Sequence, residues 1–91
     1  MFLCLHGAGH SALSFAALAK LLKSNSTCIS FDFRGHGLNT QTDPLVLDAA
    51  NLVNDTLLVV KHVAAKLPEQ SIIIVGHSMG GSIAVKAAYE I

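Results

Sequence analysis

The apolar residues of this chain fall into two kinds of stretch that alternate along it. Short runs rich in apolar and β-branched residues are typical of strands buried in a parallel sheet, and they occupy residues 2–5, 27–33 and 71–75. Longer stretches have apolar residues at helical spacing or are rich in alanine, and they occupy residues 12–23, 49–67 and 80–90. The pattern therefore predicts the order β-α-β-α-β-α.

The ends of the predicted helices carry capping and breaking residues. Ser11 and Asp48 stand where N-caps are expected, because a short polar side chain can accept a hydrogen bond from a free N–H of the first turn. Pro68 stops the second helix, and Asp43-Pro44 punctuates the loop before it. The apolar stripes predicted for the core are Phe15, Leu18, Leu21 and Leu22 in the first helix and Leu52, Val53, Leu57, Val60, Ala64 and Leu67 in the second.

Strands that alternate with helices of this length favour a parallel sheet with helices on both faces. The predicted fold class is therefore α/β, a three-layer α-β-α arrangement with a sheet of at most three strands. No linker, repeat or low-complexity segment divides residues 1–91, which are predicted to form a single, partial domain. Ligands of such sheets bind at the carboxyl ends of the strands, which here are the glycine-rich segments 6–9, 34–37 and 76–81.

The third strand end carries the clearest chemical signal. Residues 76–80 read Gly-His-Ser-Met-Gly and fit the pattern G-x-S-x-G, in which a serine occupies a sharp turn between a strand and a helix. Gly76, Gly80 and Gly81 are expected to remove the Cβ clashes that so tight a turn creates. Ser78 is the predicted nucleophile, because the helix dipole favours the negative charge that forms as its oxygen attacks a carbonyl.

An oxyanion hole is expected beside this serine. The N–H of Met79, the residue after the nucleophile, would supply one donor. The second donor is predicted to be the N–H of Ala8, since Gly7 and Gly9 on either side leave the backbone of the first strand end free to approach a substrate.

The base and acid that a serine nucleophile needs are not evident in the chain. In this type of site they follow the serine in the order Asp or Glu, then His, whereas the residues after Ser78 include Glu90 but neither Asp nor His. The upstream histidines are interpreted as structural: His6, His10, His36, His62 and His77. His6 and His10 span a strand end and a turn, so they lack the helical face of a zinc site, and neither a metal nor a cofactor is predicted.

Charge and hydropathy narrow the class of partner. The 91 residues include six basic and six acidic side chains with a formal net charge of zero, so nothing resembles the basic face of a nucleic-acid-binding protein. Lysines interrupt every long apolar stretch, so no membrane-spanning helix is predicted.

Cys4 and Cys28 lie in apolar, strand-like runs, where free cysteines behave as small hydrophobic residues. A reducing compartment, cytoplasmic or nuclear, is expected.

A dinucleotide-binding βαβ module is an alternative interpretation. Gly7 and Gly9 begin a G-x-G-x-x-A pattern after the first strand, and Asp32 ends the second strand, where a ribose-binding acid belongs. This interpretation leaves the glycines of residues 34–37 and the serine turn unexplained, whereas a hydrolase accounts for all three strand ends.

The three strand ends together resemble the N-terminal half of an α/β-hydrolase core. His6-Gly7 follows the first strand, Asp32-Phe33-Arg34-Gly35-His36-Gly37 the second, and Gly76-His77-Ser78-Met79-Gly80-Gly81 the third. Two further segments, His10-Ser11-Ala12-Leu13-Ser14 and Asn54-Asp55, are similar to those of the protein phosphatase methylesterases. The resemblance covers nearly the whole chain.

That resemblance implies an enzyme that hydrolyses the methyl ester on the C-terminal leucine of the type 2A protein phosphatase catalytic subunit, which is thus both substrate and partner. Ser78 would form the acyl-enzyme. The family's acid and histidine have no counterparts here, so the chain is expected to be a fragment that is inactive alone. Two alternatives stay open: another serine hydrolase, such as a lipase, thioesterase or peptidase, and a hydrolase-like binding chain without catalysis.

Overall fold

The computed structural model describes residues 1–39 and 48–91, so the predicted punctuation at Asp43-Pro44 lies outside the described residues. The strands are β1 (Phe2–Leu5), β2 (Cys28–Ser30) and β3 (Ile73–Gly76). A 3-10 helix (Ala12–Phe15) leads into α1 (Ala16–Leu22), and the longer helices are α2 (Ala49–Lys66) and α3 (Met79–Glu90). The predicted alternation of strands and helices is confirmed.

The three strands form one parallel sheet in the order β2-β1-β3. The first strand is therefore central, with Leu3 paired to Ile29 on one side and to Ile74 on the other. The second strand is shorter than predicted and ends at Ser30, because the chain leaves the sheet there and buries Phe33 completely in the core. All three strands point their carboxyl ends to the same edge, as the sequence predicts.

Alternate residues of β1 face opposite layers. Leu3 and Leu5 are fully buried and belong to the core cluster together with Leu52 of α2 and Ile83 of α3. Cys4 points to the other face, where it lines a cleft with residues of the 3-10 helix and α1. Helices therefore cover both faces of the sheet, and the α-β-α arrangement is confirmed.

The first predicted helix is wrong in its detail. Residues 12–15 form a 3-10 helix and only residues 16–22 are α-helical. Of the predicted stripe, Leu21 is 78% exposed and Leu18 37% exposed, whereas Phe15 and Leu22 are half-buried. Ser11 does precede the 3-10 helix, but its side chain makes no capping hydrogen bond.

The second helix begins as predicted. The Asp48 side chain accepts a hydrogen bond from the Asn51 N–H at 2.8 Å, and the helix ends at Lys66, shortly before Pro68. Its buried face is Leu52, Thr56 and Val63, whereas Ala64 of the predicted stripe is exposed. The Thr56 hydroxyl is compatible with burial because it donates to the Leu52 carbonyl oxygen within the same helix.

Two further expectations concern the cysteines and the membrane. Cys4 and Cys28 are both free, and burial raises the pKa of the Cys4 thiol, helped by the neighbouring Cys28. Within residues 1–39 and 48–91, none of the helices combines the length and the apolar character that crossing a bilayer requires.

Candidate active site

Ser78 occupies a strained turn between β3 and α3. Its backbone has φ 54° and ψ −115°, and among the described residues it is the only one other than glycine with a positive φ. Such a conformation is costly for a residue with a side chain and is found mainly at functional positions. The side chain is exposed and makes no hydrogen bond to cap the helix, so its oxygen is free to react with a ligand.

The turn packs so closely that two of the three predicted glycines have no room for a side chain. A Cβ on Gly76 would overlap the backbone of Gly80 and Gly81, and a Cβ on Gly80 would overlap the carbonyl groups of Leu5 and His6. Gly81 differs, because a Cβ there would meet only the Gly76 carbonyl oxygen, at an ordinary 3.5 Å. The turn therefore requires glycine at positions 76 and 80 but not at 81.

The strand end that carries Ala8 lies directly against this turn. A methyl group on Gly7 would be 3.0 Å from His77 Nδ1 and 3.3 Å from Ser78 Cβ. The Gly7 carbonyl oxygen accepts the His10 N–H at 3.1 Å, and Gly9, with φ 77°, takes the position of this tight turn that favours glycine. The sequence thus brings the predicted oxyanion segment and the predicted nucleophile together.

His6 fixes the orientation of the Ala8 N–H. The ring is fully buried; its Nδ1 lies 2.8 Å from the Gly7 carbonyl oxygen, and its Nε2 accepts the Phe33 N–H at 3.0 Å. The neutral tautomer with hydrogen on Nδ1 satisfies both contacts. Because the peptide group is planar and trans, a fixed Gly7 carbonyl also fixes the Ala8 N–H, which points the opposite way.

Two backbone donors remain available beside Ser78. In the described part of the chain, neither the Ala8 N–H nor the Met79 N–H is paired with an acceptor. Two unpaired N–H groups on adjoining turns are what an oxyanion hole consists of. The roles of Ser78, Met79 and Ala8 stay predictions, and their placement is consistent with them.

The remaining histidines near the serine pack against one another. The rings of His10 and His77 meet edge to face with centroids 5.7 Å apart, and His36 lies 5.0 Å from His6. Neither ring nitrogen of His6 is free to serve as a base, since both are hydrogen-bonded. In residues 1–39 and 48–91 no three His, Cys, Asp or Glu side chains are grouped as a metal site would require.

Asp32 holds two loops together through its carboxylate. Its Oδ1 accepts the Ala12 N–H at 2.7 Å, and its Oδ2 accepts the Leu38 N–H at 3.0 Å. These two backbone donors hold the pKa of the carboxyl below its usual range, against a smaller opposing effect of burial. Both carboxylate oxygens of Asp32 are already hydrogen-bonded, and the segment from Gly7 to Gly9 packs against the turn at Ser78. The geometry therefore gives no support to the dinucleotide interpretation.

The lowered pKa predicts how stability depends on pH. The folded pKa of Asp32 lies below the unfolded value of about 3.9, so its contribution is fully present above that value and is lost as pH falls through the folded pKa. We expect urea unfolding to show wild type more stable than Asp32→Asn from about pH 5 to 7, with the difference shrinking as pH falls below about 3.9. If the difference in the free energy of unfolding between wild type and Asp32→Asn persisted unchanged in acid, the lowered pKa of Asp32 would be contradicted.

A second contact of the β2 loop was not anticipated from the sequence. Arg34 binds Asp55 of α2 through two parallel hydrogen bonds of 2.7 Å each, a fork-to-carboxylate geometry. Asp55 was noted in the sequence only as part of the Asn54-Asp55 resemblance. The charge of Arg34 and an acid on the facing helix were the available signals, but local patterns cannot indicate a pairing between residues 21 positions apart.

Comparison with known proteins agrees with this geometry. The model of the alpha/beta hydrolase family matches residues 2–91, and the chain belongs to that family. A solved structure of a lipase-esterase related protein from Clostridium acetobutylicum superimposes with a TM-score of 0.83 at 25% identity, covering 98% of this chain and 35% of that one.

The similar sequences are more particular. Protein phosphatase methylesterase 1 of Homo sapiens is 40% identical over 90 residues, which are 97% of this chain and 23% of the relative. Protein phosphatase methylesterase 1 of Candida albicans is 38% identical over 84 residues, which cover 91% of this chain and 23% of the relative. The chain thus spans about a quarter of the length of the curated relatives it matches.

Proposed function

We propose that the protein to which this chain belongs is a serine carboxylesterase that removes the methyl ester from the C-terminal leucine of the type 2A protein phosphatase catalytic subunit. The observation that carries the proposal is the backbone of Ser78, which has φ 54° at the junction of β3 and α3. The similarity to enzymes named protein phosphatase methylesterase 1 supports the choice of substrate.

The reaction would proceed through an acyl-enzyme. Ser78 Oγ attacks the ester carbonyl and loses its proton to a base, and the N–H groups of Met79 and Ala8 hold the negative oxygen of the tetrahedral intermediate. The intermediate collapses, and methanol leaves with the proton. Water then attacks the acyl group, releasing the leucine carboxylate and restoring Ser78. The base and its acid partner would come from residues other than the 91 of this chain.

The partner is accordingly the phosphatase catalytic subunit, and the compartment is cytoplasmic or nuclear, where the enzyme would meet that substrate in a reducing setting.

Another serine hydrolase is the second candidate, since the turn around Ser78 would serve a lipase, thioesterase or peptidase as well. A binding chain that lacks catalysis is the third, because no hydrogen bond among the described residues joins a histidine to the Ser78 side chain.

Ester preference of the full-length gene product tests the proposal. Two methyl esters are tested, a peptide ending in leucine methyl ester and the methylated phosphatase subunit itself. We expect kcat/KM for their hydrolysis, followed by methanol release, to be at least about tenfold above the kcat/KM for a matched thioester or long-chain acyl ester. The Ser78→Ala variant is the control for spontaneous hydrolysis, and the matched amide tests for peptidase activity. A preference for the thioester or lipid ester would favour the second candidate, and binding of the phosphatase without turnover would favour the third.

A further inference from the structure

The carboxylate of Asp32 takes the place of a local helix cap. The 3-10 helix begins at Ala12, and the side chain of Ser11 before it makes no capping hydrogen bond. The Ala12 N–H is instead accepted by Asp32 Oδ1 at 2.7 Å, from a residue twenty positions further along the chain. The loop after β2 therefore supplies the side-chain acceptor at the start of this helix, which the side chain of Ser11 does not.

The same carboxylate is held firmly on its other side. Asp32 Oδ2 accepts the Leu38 N–H at 3.0 Å, and the Asn39 side chain donates to the Asp32 carbonyl oxygen at 3.1 Å. A Cβ on Gly37, which has φ 54°, would collide with the carboxylate. The loop of residues 33–39 thus closes tightly around Asp32, which leaves the carboxylate little freedom to move away from Ala12.

The segment from Gly7 to Ala12 is consequently held at both ends. His6 Nδ1 lies 2.8 Å from the Gly7 carbonyl oxygen at one end, and Asp32 binds the Ala12 N–H at the other. Between these ends the tight turn closed by His10 contributes one further hydrogen bond. The unpaired Ala8 N–H lies inside this doubly held segment.

We propose that Asp32 is a positioning residue for the oxyanion hole, holding the segment so that the Ala8 N–H is aimed before the substrate arrives. The inference rests on the proposed function, in which Ala8 supplies the second oxyanion donor. Such a donor is effective only when it needs no reorganisation as charge develops. Removing the Asp32 acceptor frees the Ala12 end, and the Ala8 N–H then samples orientations that do not reach the oxyanion.

Asp32→Asn in the full-length gene product is the test. The amide keeps the size of the side chain but turns a donor towards one of the two backbone N–H groups, so one hydrogen bond is lost. Asp48→Asn is the matched control, because Asp48 also accepts one backbone N–H from the first turn of a helix, that of Asn51 at 2.8 Å, but lies at the start of α2.

Two readouts are compared for each variant: amide hydrogen exchange by mass spectrometry over peptides covering residues 7–13, and kcat and KM for an activated ester. For Asp32→Asn we expect exchange in this segment to rise at least about fivefold and kcat to fall about 10- to 100-fold, with KM within about twofold of wild type. This is less than the roughly 10²–10³-fold cost of losing an oxyanion donor outright. Asp48→Asn should change neither the exchange at residues 7–13 nor the kinetic constants.

The outcomes separate this inference from the proposed function. Unchanged exchange in Asp32→Asn overturns the inference whatever the activity, as does raised exchange with unchanged kcat. A rise in peptides of α2 and α3 as large as the rise at residues 7–13 also overturns it, because Asp32 would then act only through the stability of the whole fold. An inactive wild-type protein in which Asp32→Asn still raises exchange more at residues 7–13 than in α2 and α3 refutes the proposed function and upholds the positioning of the segment.

Discussion

Replacing Ser78 with alanine is expected to abolish ester hydrolysis by the full-length gene product. The substitution removes the oxygen that would form the acyl-enzyme, so only the donors of the oxyanion hole remain, and kcat should fall by roughly 10⁴-fold or more. Labelling by a fluorophosphonate probe should disappear completely, since such probes react only with an activated serine. Labelling intensity after gel separation and methanol release are the two measurements.

Ser82 provides a control within the same helix. It lies one turn after Ser78 on α3 and is exposed, and its N–H binds the Ser78 carbonyl oxygen at 3.3 Å through the backbone. Ser82→Ala keeps that backbone bond and should leave labelling and turnover at the wild-type level. Continued labelling of Ser78→Ala at full intensity would place the nucleophile elsewhere and remove the basis of the proposed mechanism.

The sequence predicted those features that depend on neighbouring residues. The strands and helices follow from local hydrophobic spacing, and the turn at Ser78 follows from five consecutive residues that only a strand-to-helix junction accommodates. Their order also determined the parallel sheet, because short connections and crossovers leave few alternatives. For the same reason the juxtaposition of Ala8 with Ser78 was predictable: both lie at carboxyl ends of adjacent parallel strands.

The sequence could not predict contacts between residues far apart in the chain. Asp32 meets Ala12 across 20 positions and Arg34 meets Asp55 across 21, and no local pattern encodes either pairing. The missing cap at Ser11 belongs with these contacts, because Asp32 and not the Ser11 side chain accepts an N–H at the start of the 3-10 helix. The requirement for glycine at position 80 is a further example, because it depends on the carbonyl groups of Leu5 and His6 at the end of another strand.

Gly80→Ala is expected to disrupt the site by displacing α3 from the sheet. A Cβ at this position would overlap the carbonyl oxygens of Leu5 and His6, which are backbone atoms at the end of the central strand and have no alternative rotamer. Either α3 or the β1 end must move, and overpacking against backbone should lower the free energy of unfolding by about 3 kcal/mol or more. Urea unfolding measures this loss, and fluorophosphonate labelling of Ser78 should fall with it.

Gly81→Ala distinguishes steric exclusion from a general intolerance of the turn. The new Cβ would lie 3.5 Å from the Gly76 carbonyl oxygen, an ordinary contact, and alanine is favoured over glycine inside a helix by about 0.5–1 kcal/mol. Gly81→Ala should therefore be neutral or slightly more stable and should retain labelling at Ser78. If Gly80→Ala and Gly81→Ala were both tolerated, α3 would have to lie further from β1 than the structure shows. If both were destabilised alike, the turn would need the backbone freedom of glycine and not merely the absence of a side chain. The opposite responses of adjacent glycines would show that close approach of α3 to the end of β1 is what holds Ser78 in its strained conformation.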